Sequence, residues 1–183
     1  MNLRDMINEV LKDIDDYLSD SDITGWINRA LDDLTPVAKY QKMSVVSLVA
    51  TDKSILLPDD VEEIVLLTDD EQDYNEINLK DKTGCGYKKW GNVLSFQPVF
   101  DIDKDFTLYY YAKLPHLAAD TDIPVIRSDF HDLLVLYATA KAKYKDEVME
   151  MHQGTMQEYL ERKRQYIAAV SSDNNEAYQV KLL

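Results

Sequence analysis

Asp20, Asp22, Thr24 and Gly25 in "DSDITGWIN" occupy the first, third, fifth and sixth positions of a calcium-loop pattern. Such a loop needs oxygen ligands at alternate positions, a glycine for its turn and a bidentate Glu at the twelfth position. That twelfth position is Leu31, and Asp32 falls one residue late. Gly25-Trp26-Ile27 also lies inside an apolar stripe of helical period, so a helix start capped by Ser21 or Asp22 is the simpler expectation. The histidines, His116, His131 and His152, form no i, i+4 pair or close cluster of the kind that holds zinc. Ser128-Asp129-Phe130-His131 contains a nucleophile, an acid and a base in order. Catalytic triads are spatial rather than sequential, so this stretch reads as a helix cap and first turn. Cys85 is the only cysteine, which rules out an intramolecular disulfide and argues against a thiolate zinc site. "GCGYKKWGN" fits neither the dinucleotide fingerprint nor the phosphate loop; it reads as a hairpin whose Lys88, Lys89 and Trp90 suit contact with a partner.

The whole chain narrows the classes further. Its 183 residues allow one domain, or one with a distinct subdomain, burying roughly 70% of the unfolded surface. With 45% hydrophobic and 30% charged residues, the composition is globular. No apolar run reaches membrane-spanning length and the amino-terminal stretch is charged and periodic, so a soluble protein made in the cytoplasm is expected. The formal charge of −14 opposes sequence-specific DNA binding, because phosphate contacts need clustered cations. The acidic run over residues 59–81 reads first as a solvated face, with a metal cluster or a DNA-mimicking surface as rivals.

These candidates need elements to position them. Leu3, Ile7, Val10, Leu11, Ile14, Tyr17 and Leu18 recur at helical steps, and a second helix follows with Ile23, Trp26, Ile27, Ala30, Leu31 and Leu34 on one face, bounded by Pro36. From Ser44 the period shortens: "SVVSLVATDKSILLP" gives two β-rich runs around a turn, and "VEEIVLLT", "GYKKWGNVLSFQP" and "FTLYYYAKLP" supply further strands. The last third is helical again, with Phe130, Leu134, Tyr137 and Tyr144 on one stripe and Met149, Met156, Tyr159 and Tyr166 on another, Gly154 marking a weak point. The expected fold class is α+β, mostly a helical bundle made of an amino-terminal helical hairpin (1–40) and two long carboxy-terminal helices (125–172). A small antiparallel β subdomain is inserted (44–115) and a docking tail follows (173–183), all within one domain over 1–183. The expected core includes Trp26, Ile27, Leu31, Phe130, Leu134 and Tyr137.

The order of these segments carries a resemblance. A helix with Trp26, Asn28 and Ala30 in a Trp-x-Asn-x-Ala pattern leads to Leu57-Pro58-Asp59-Asp60, then to a strand with Tyr109 and Tyr110. An Asp-x-x-x-Pro loop and the Ala/Tyr-rich "FHDLLVLYATAKAKYKD" follow. This arrangement, spanning residues 20–170, resembles the head-to-tail adaptor (connector) proteins of tailed bacteriophages.

The resemblance implies a structural virion protein without a reaction, cofactor or metal of its own. It implies a ring, commonly of twelve neighbouring copies, beneath the portal protein in the virion neck, continuing the DNA channel and docking a tail or nozzle protein. DNA would pass through without sequence-specific binding, and Asp13, Asp15 and Asp16 are candidates to face it. Ala177, Tyr178, Gln179, Val180, Lys181, Leu182 and Leu183 alternate in polarity and suit strand addition to, or groove binding on, a partner. Two other readings remain: an acidic binding module or DNA mimic that occupies a basic protein, and a metal-assisted hydrolase using the acidic run.

Overall fold

A computed structural model of the chain describes residues 1–14, 18–69, 71–145 and 149–179, with side chains described except in 149–151 and 173–179. The chain divides into two compact units, residues 1–40 with 114–183, and residues 41–113.

In the first unit, helix α1 (Leu3–Lys12) begins with a capping box. The Asn2 side chain accepts from the Asp5 amide at 2.8 Å, while the Asp5 carboxylate accepts from the Asn2 amide at 3.1 Å. Leu3, Met6, Ile7 and Val10 form its buried stripe. The helix stops at Lys12, short of the expected stripe; Leu18 is buried but lies outside it. Helix α2 (Asp20–Ala38) is capped by Ser19, whose hydroxyl accepts from the Asp22 amide at 3.1 Å, rather than by Ser21 or Asp22. Pro36 sits inside its final turn, and Lys39, at φ 50°, ends it in the left-handed conformation. A short 3-10 turn (Ser128–Phe130) precedes helix α3 (Asp132–Lys145), and no side-chain cap supports that turn. Helix α4 (Met149–Gln179) runs unbroken through Gly154. The core of this unit joins the buried faces of α1, α2 and α3 to Tyr159 and Tyr166 of α4 and to Leu114, Leu117 and Ile126 of the connecting segment.

Among the described residues, the second unit holds seven strands. Strands β1 (Gln41–Leu48), β3 (Val61–Thr68), β4 (Asp73–Tyr74) and β7 (Lys104–Ala112) form one antiparallel sheet in the order β1-β7-β3-β4. Strands β2 (Ser54–Leu56), β5 (Gly86–Trp90) and β6 (Val93–Gln97) form another in the order β2-β6-β5. The runs on either side of the Thr51 to Ser54 turn therefore enter different sheets. Inner residues alternate with outer ones along β7, where Phe106, Leu108, Tyr110 and Ala112 are buried. Phe96 stacks on Phe106 with centroids 4.5 Å apart, and Tyr74 and Phe100 pack edge-on or tilted around them, which closes the two sheets over one aromatic core. Gly86 is required by a close approach: a Cβ there would lie 2.2 Å from the Asn75 carbonyl oxygen.

The expected mostly helical bundle is thus corrected. Helix accounts for 41% and strand for 25%, and the strands make two antiparallel sheets rather than one small one. Only α4, at 31 residues, is a long carboxy-terminal helix; α3 has 14. The physical reason lies in the strands: alternation reports a buried face but carries no record of which sheet owns it.

Candidate interaction surfaces

The residues of the sequence motifs hold turns and returning segments in place. Asn28 on α2 uses its whole amide: Nδ2 donates to the Leu117 carbonyl at 3.0 Å, and Oδ1 accepts from the Leu117 amide at 2.8 Å. Two turns on, the buried Thr35 hydroxyl accepts from the Leu114 amide at 3.1 Å and donates to the Leu31 carbonyl at 3.0 Å. Helix α2 is therefore the template on which residues 114–117 lie, with their backbone polar groups satisfied by its side chains.

The Asp-x-x-x-Pro loop, Asp120 to Pro124, serves α1. The carbonyls of Asp122 and Asp120 accept from the Leu3 and Arg4 amides at 2.9 and 3.1 Å, satisfying donors that a helix start leaves open. Arg4 grips the Asp120 carboxylate and also pairs with Asp20 at 2.7 Å. Within the loop, the Asp122 carboxylate accepts from the Ala118 and Ala119 amides, both at 2.8 Å, and these bonds hold its pKa below the ordinary carboxylate value. In the β unit the Leu-Pro-acidic turn does similar work. Asp60 pairs with Lys42 at 2.6 Å, accepts from the Tyr110 hydroxyl at 3.1 Å and, through its carbonyl, from the Lys113 amide at 2.8 Å. The Lys42 bond is the main reason its carboxyl is held low.

Elsewhere, ionisable groups tie elements together. Asp33 of α2 receives Lys163 of α4 at 2.6 Å and the Tyr159 hydroxyl. Partial burial alone would raise the Asp33 carboxyl, but these two donors outweigh it and hold it low, while burial followed by the Asp33 bond pushes the Tyr159 phenol up. Burial also raises the Tyr166 phenol to about 12. In the β unit, Asp69 is buried against Lys104 and the Tyr74 hydroxyl, with Lys104 Nζ 5.1 Å from the Phe100 ring centroid. Burial opposes ionisation of Asp69, but the Lys104 and Tyr74 bonds and two backbone amides hold it far below the ordinary value.

The chemical candidates are dispersed. His116 pairs with Asp32 at 2.8 Å, His152 meets the Ala140 carbonyl at 2.7 Å, and His131 is buried against the Ile126 carbonyl at 3.1 Å. Asp20 faces Arg4 and Asp22 faces Lys145, so the calcium pattern is spent on ion pairs along a helix start. Among the described residues, no group of three or more His, Cys, Asp or Glu gathers as a metal site. An open groove of about 750 Å³ beside α1 is lined by Asp5, Glu9, Asp132 and Glu158 together with Lys12 and apolar side chains. Lys12 already pairs with Glu9, and Asp132 with Arg162.

Ile27, Leu31, Phe130 and Leu134 are buried; Trp26 and Tyr137 pack against the same core but stay partly exposed. Asp13 is an exposed residue at the end of α1, whereas Asp15 and Asp16 lie outside the described residues. Of the expected docking tail, 177–179 has a described helical backbone only, and Val180 to Leu183 lie outside the described residues.

With this geometry in hand, comparison with known families is decisive: the model of the SU10 adaptor protein family matches residues 1–179. The chain belongs to the SU10 adaptor protein family. The resemblance to phage head-to-tail adaptors is thereby upheld, and membership gives the chain the structural role of a phage adaptor. No curated protein matches it. In this SU10 adaptor the motif residues Asn28 and Asp60, and with them Thr35 and Asp122, are scaffold: each fixes backbone. The resemblance pointed to Asn28, but sequence reading missed Thr35 and the Asp69–Lys104 pair, whose partners lie far away or in strands of unknown pairing, and Asp122, whose carboxylate closes a local turn on Ala118 and Ala119. Among the described residues, no helix is long and apolar enough to cross a membrane.

Proposed function

We infer that this SU10 adaptor is a head-to-tail connector of the virion neck, in which copies of the chain, twelve by the resemblance, form a ring beneath the portal protein. The ring would extend the DNA channel and offer a lower surface to a tail or nozzle protein. The observation that carries the reading is the family match over residues 1–179, which spans both compact units. The charge of −14 suits the role: a duplex passing through such a ring is repelled by acidic walls, where a basic lining would retain it through phosphate contacts. Asp13, Asp15 and Asp16 are the proposed channel-facing acids, and residues 177–183 the proposed contact with a partner, by strand addition or groove binding.

The test is to mix the purified protein with portal rings of its phage and image the product by electron microscopy, with and without residues 173–183. A symmetric collar on the portal is the expected result, and its loss on truncation assigns the tail to the contact. A bare portal under several salt conditions overturns the reading, and the acidic-module alternative then predicts capture of basic, DNA-handling proteins instead.

A further inference from the structure

The β2-β6-β5 sheet gives Phe96 to the aromatic core from its inner face, and its outer face carries the two most exposed large apolar side chains of the described β unit. Trp90 is 75% exposed and Leu56 72%. They are not scattered: Trp90 lies opposite Val93, and Val93 opposite Leu56, so the three form one cross-strand row on the outer face of the β2-β6-β5 sheet. The other sheet has a second such patch on its own outer face. Met43, 63% exposed, lies opposite Tyr109, which lies opposite Leu66, and Val45, 61% exposed, stands beside them. Because the inner faces meet through Phe96 and Phe106, the two patches are on opposite sides of the sandwich.

Their charges differ in sign. Residues 80–92, which hold β5 and the segments on either side of it, carry four lysines against the single Asp81 in a chain of net charge −14, and of the lysines within β5 it is Lys88 that lies on the outer face. Lys88, on the same outer face as Trp90, has its ammonium held by the Asp81 carbonyl and by Gln97 Oε1. The Met43 face carries Glu63 and Asp105, with Glu62 exposed next to Glu63.

We propose that these two outer faces are the two halves of one heterologous contact between copies of this chain, the Trp90–Val93–Leu56 row of one copy seating on the Met43–Val45–Tyr109 face of the next. The inference rests on the multi-copy adaptor reading and names the surfaces that reading leaves open. Apolar patches of this kind on a soluble protein mark contact sites. A twofold contact would use a single patch and set like charges against each other. Two different patches on opposite sides, basic against acidic, instead propagate from copy to copy and close into a ring when the rotation allows. Nucleic acid is the poorer occupant, because two of the three side chains in the row are aliphatic and offer bases no stacking surface.

The test uses full-length protein in which exposed Cys85 is replaced by serine, carrying Val45→Cys, Leu56→Cys or both, treated with a short bismaleimide on portal rings and in concentrated solution. The expected result is a ladder of linked multimers from the double variant in at least one setting. Neither single variant gives linked species, and adding Trp90→Asp abolishes the ladder. Linked dimers from a single variant, or no ladder in either setting, overturn the proposal. So does a shift of duplex DNA that Trp90→Asp removes. A collar without a ladder sinks this contact and leaves the portal reading standing; a ladder without a collar does the reverse.

Discussion

The helical unit and the β unit solve burial differently. The helical unit folds four helices and a returning segment around one core, and its exposed apolar side chains, such as Ile123, Tyr144, Leu160 and Ile167, stand on separate elements or two turns apart on α4. The β unit buries one face of each sheet around four aromatic rings and leaves contiguous apolar rows on both outer faces. The packing of one unit is closed on itself, while the other leaves apolar faces outside its core.

The sharpest way to break this comparison is to empty the β core. Phe106→Ala removes the ring that stacks on Phe96, and is expected to destabilise the β unit by about 3–5 kcal/mol. The check is amide hydrogen exchange: protection should fall within 41–113 by that amount. Leu31→Ala, at the centre of the helical core, should cost about 3 kcal/mol and show first in α2 and α3. Equal loss throughout both units from either variant would show that the two cores do not act separately.

A second contrast is electrostatic, since among the described residues the β unit holds an ion pair, Asp69 with Lys104, against its core aromatics. Asp69→Asn leaves Lys104 without its carboxylate and should cost about 3 kcal/mol, the low end for such a loss because Lys104 is partly exposed. The pH dependence has a definite sign. The folded-state pKa of Asp69 is depressed, so its contribution is fully present above the ordinary carboxylate value of about 3.9 and is lost as pH falls through the folded value. Urea unfolding of the wild type should therefore weaken below about pH 4 more steeply than that of Asp69→Asn. Parallel curves would remove Asp69 from the acid response.

What the sequence revealed follows the same division. "VEEIVLLT" forms β3 as its β-branched residues suggest, and the stripe Ile23, Ile27, Ala30, Leu31 and Leu34 is the buried face of α2. These are local signals. The assignment of β1 and β2 to different sheets was hidden, because each run shows one buried face and nothing in it names a partner. The expected mostly helical fold failed for this reason: seven short strands are individually weak signals, and together they make two sheets. Pro36 is the expected boundary of α2 and Gly154 a weak point of α4, yet α2 runs on to Ala38 and α4 runs unbroken through Gly154. Asn28 is marked only by the Trp-x-Asn-x-Ala pattern of the resemblance, and its function depends on Leu117, 89 residues away, which no local pattern contains.

That long-range clamp gives the next prediction. Asn28→Ala strips partners from both the amide and the carbonyl of Leu117 and should cost about 2 kcal/mol. Exchange of the Leu117 amide should accelerate more than that of its neighbours. Unchanged exchange there would mean that the segment is held by Leu114 and Leu117 packing and by the Thr35 bond to Leu114 without help from Asn28.

The smallest effects separate two arginines on one helix, both conspicuous as charges and unequal in what they touch. Arg162 donates to Asp132 at 2.7 Å and to the Asp129 carbonyl at 2.6 Å, and its guanidinium carbon lies 4.7 Å from the Phe130 ring centroid, so it joins α4 to the start of α3. Arg162→Ala should cost about 1.5 kcal/mol, from charge-assisted bonds and cation–π contact reduced by partial exposure. Among the described residues, Arg164 pairs with Glu161 of its own helix, at 3.0 Å and well exposed, so Arg164→Ala should cost no more than about 0.5 kcal/mol. Thermal melts in low and high salt check both. The Arg164 difference should vanish with salt, since an exposed pair is screened, whereas most of the Arg162 difference should persist, because the ring contact and the carbonyl bond do not depend on a solvent-separated charge. If the two variants respond alike, the Arg162 clamp adds nothing to the tie between α3 and α4, and the helical unit relies on its apolar core, with Tyr159 and Tyr166, more completely than this polar contact suggests.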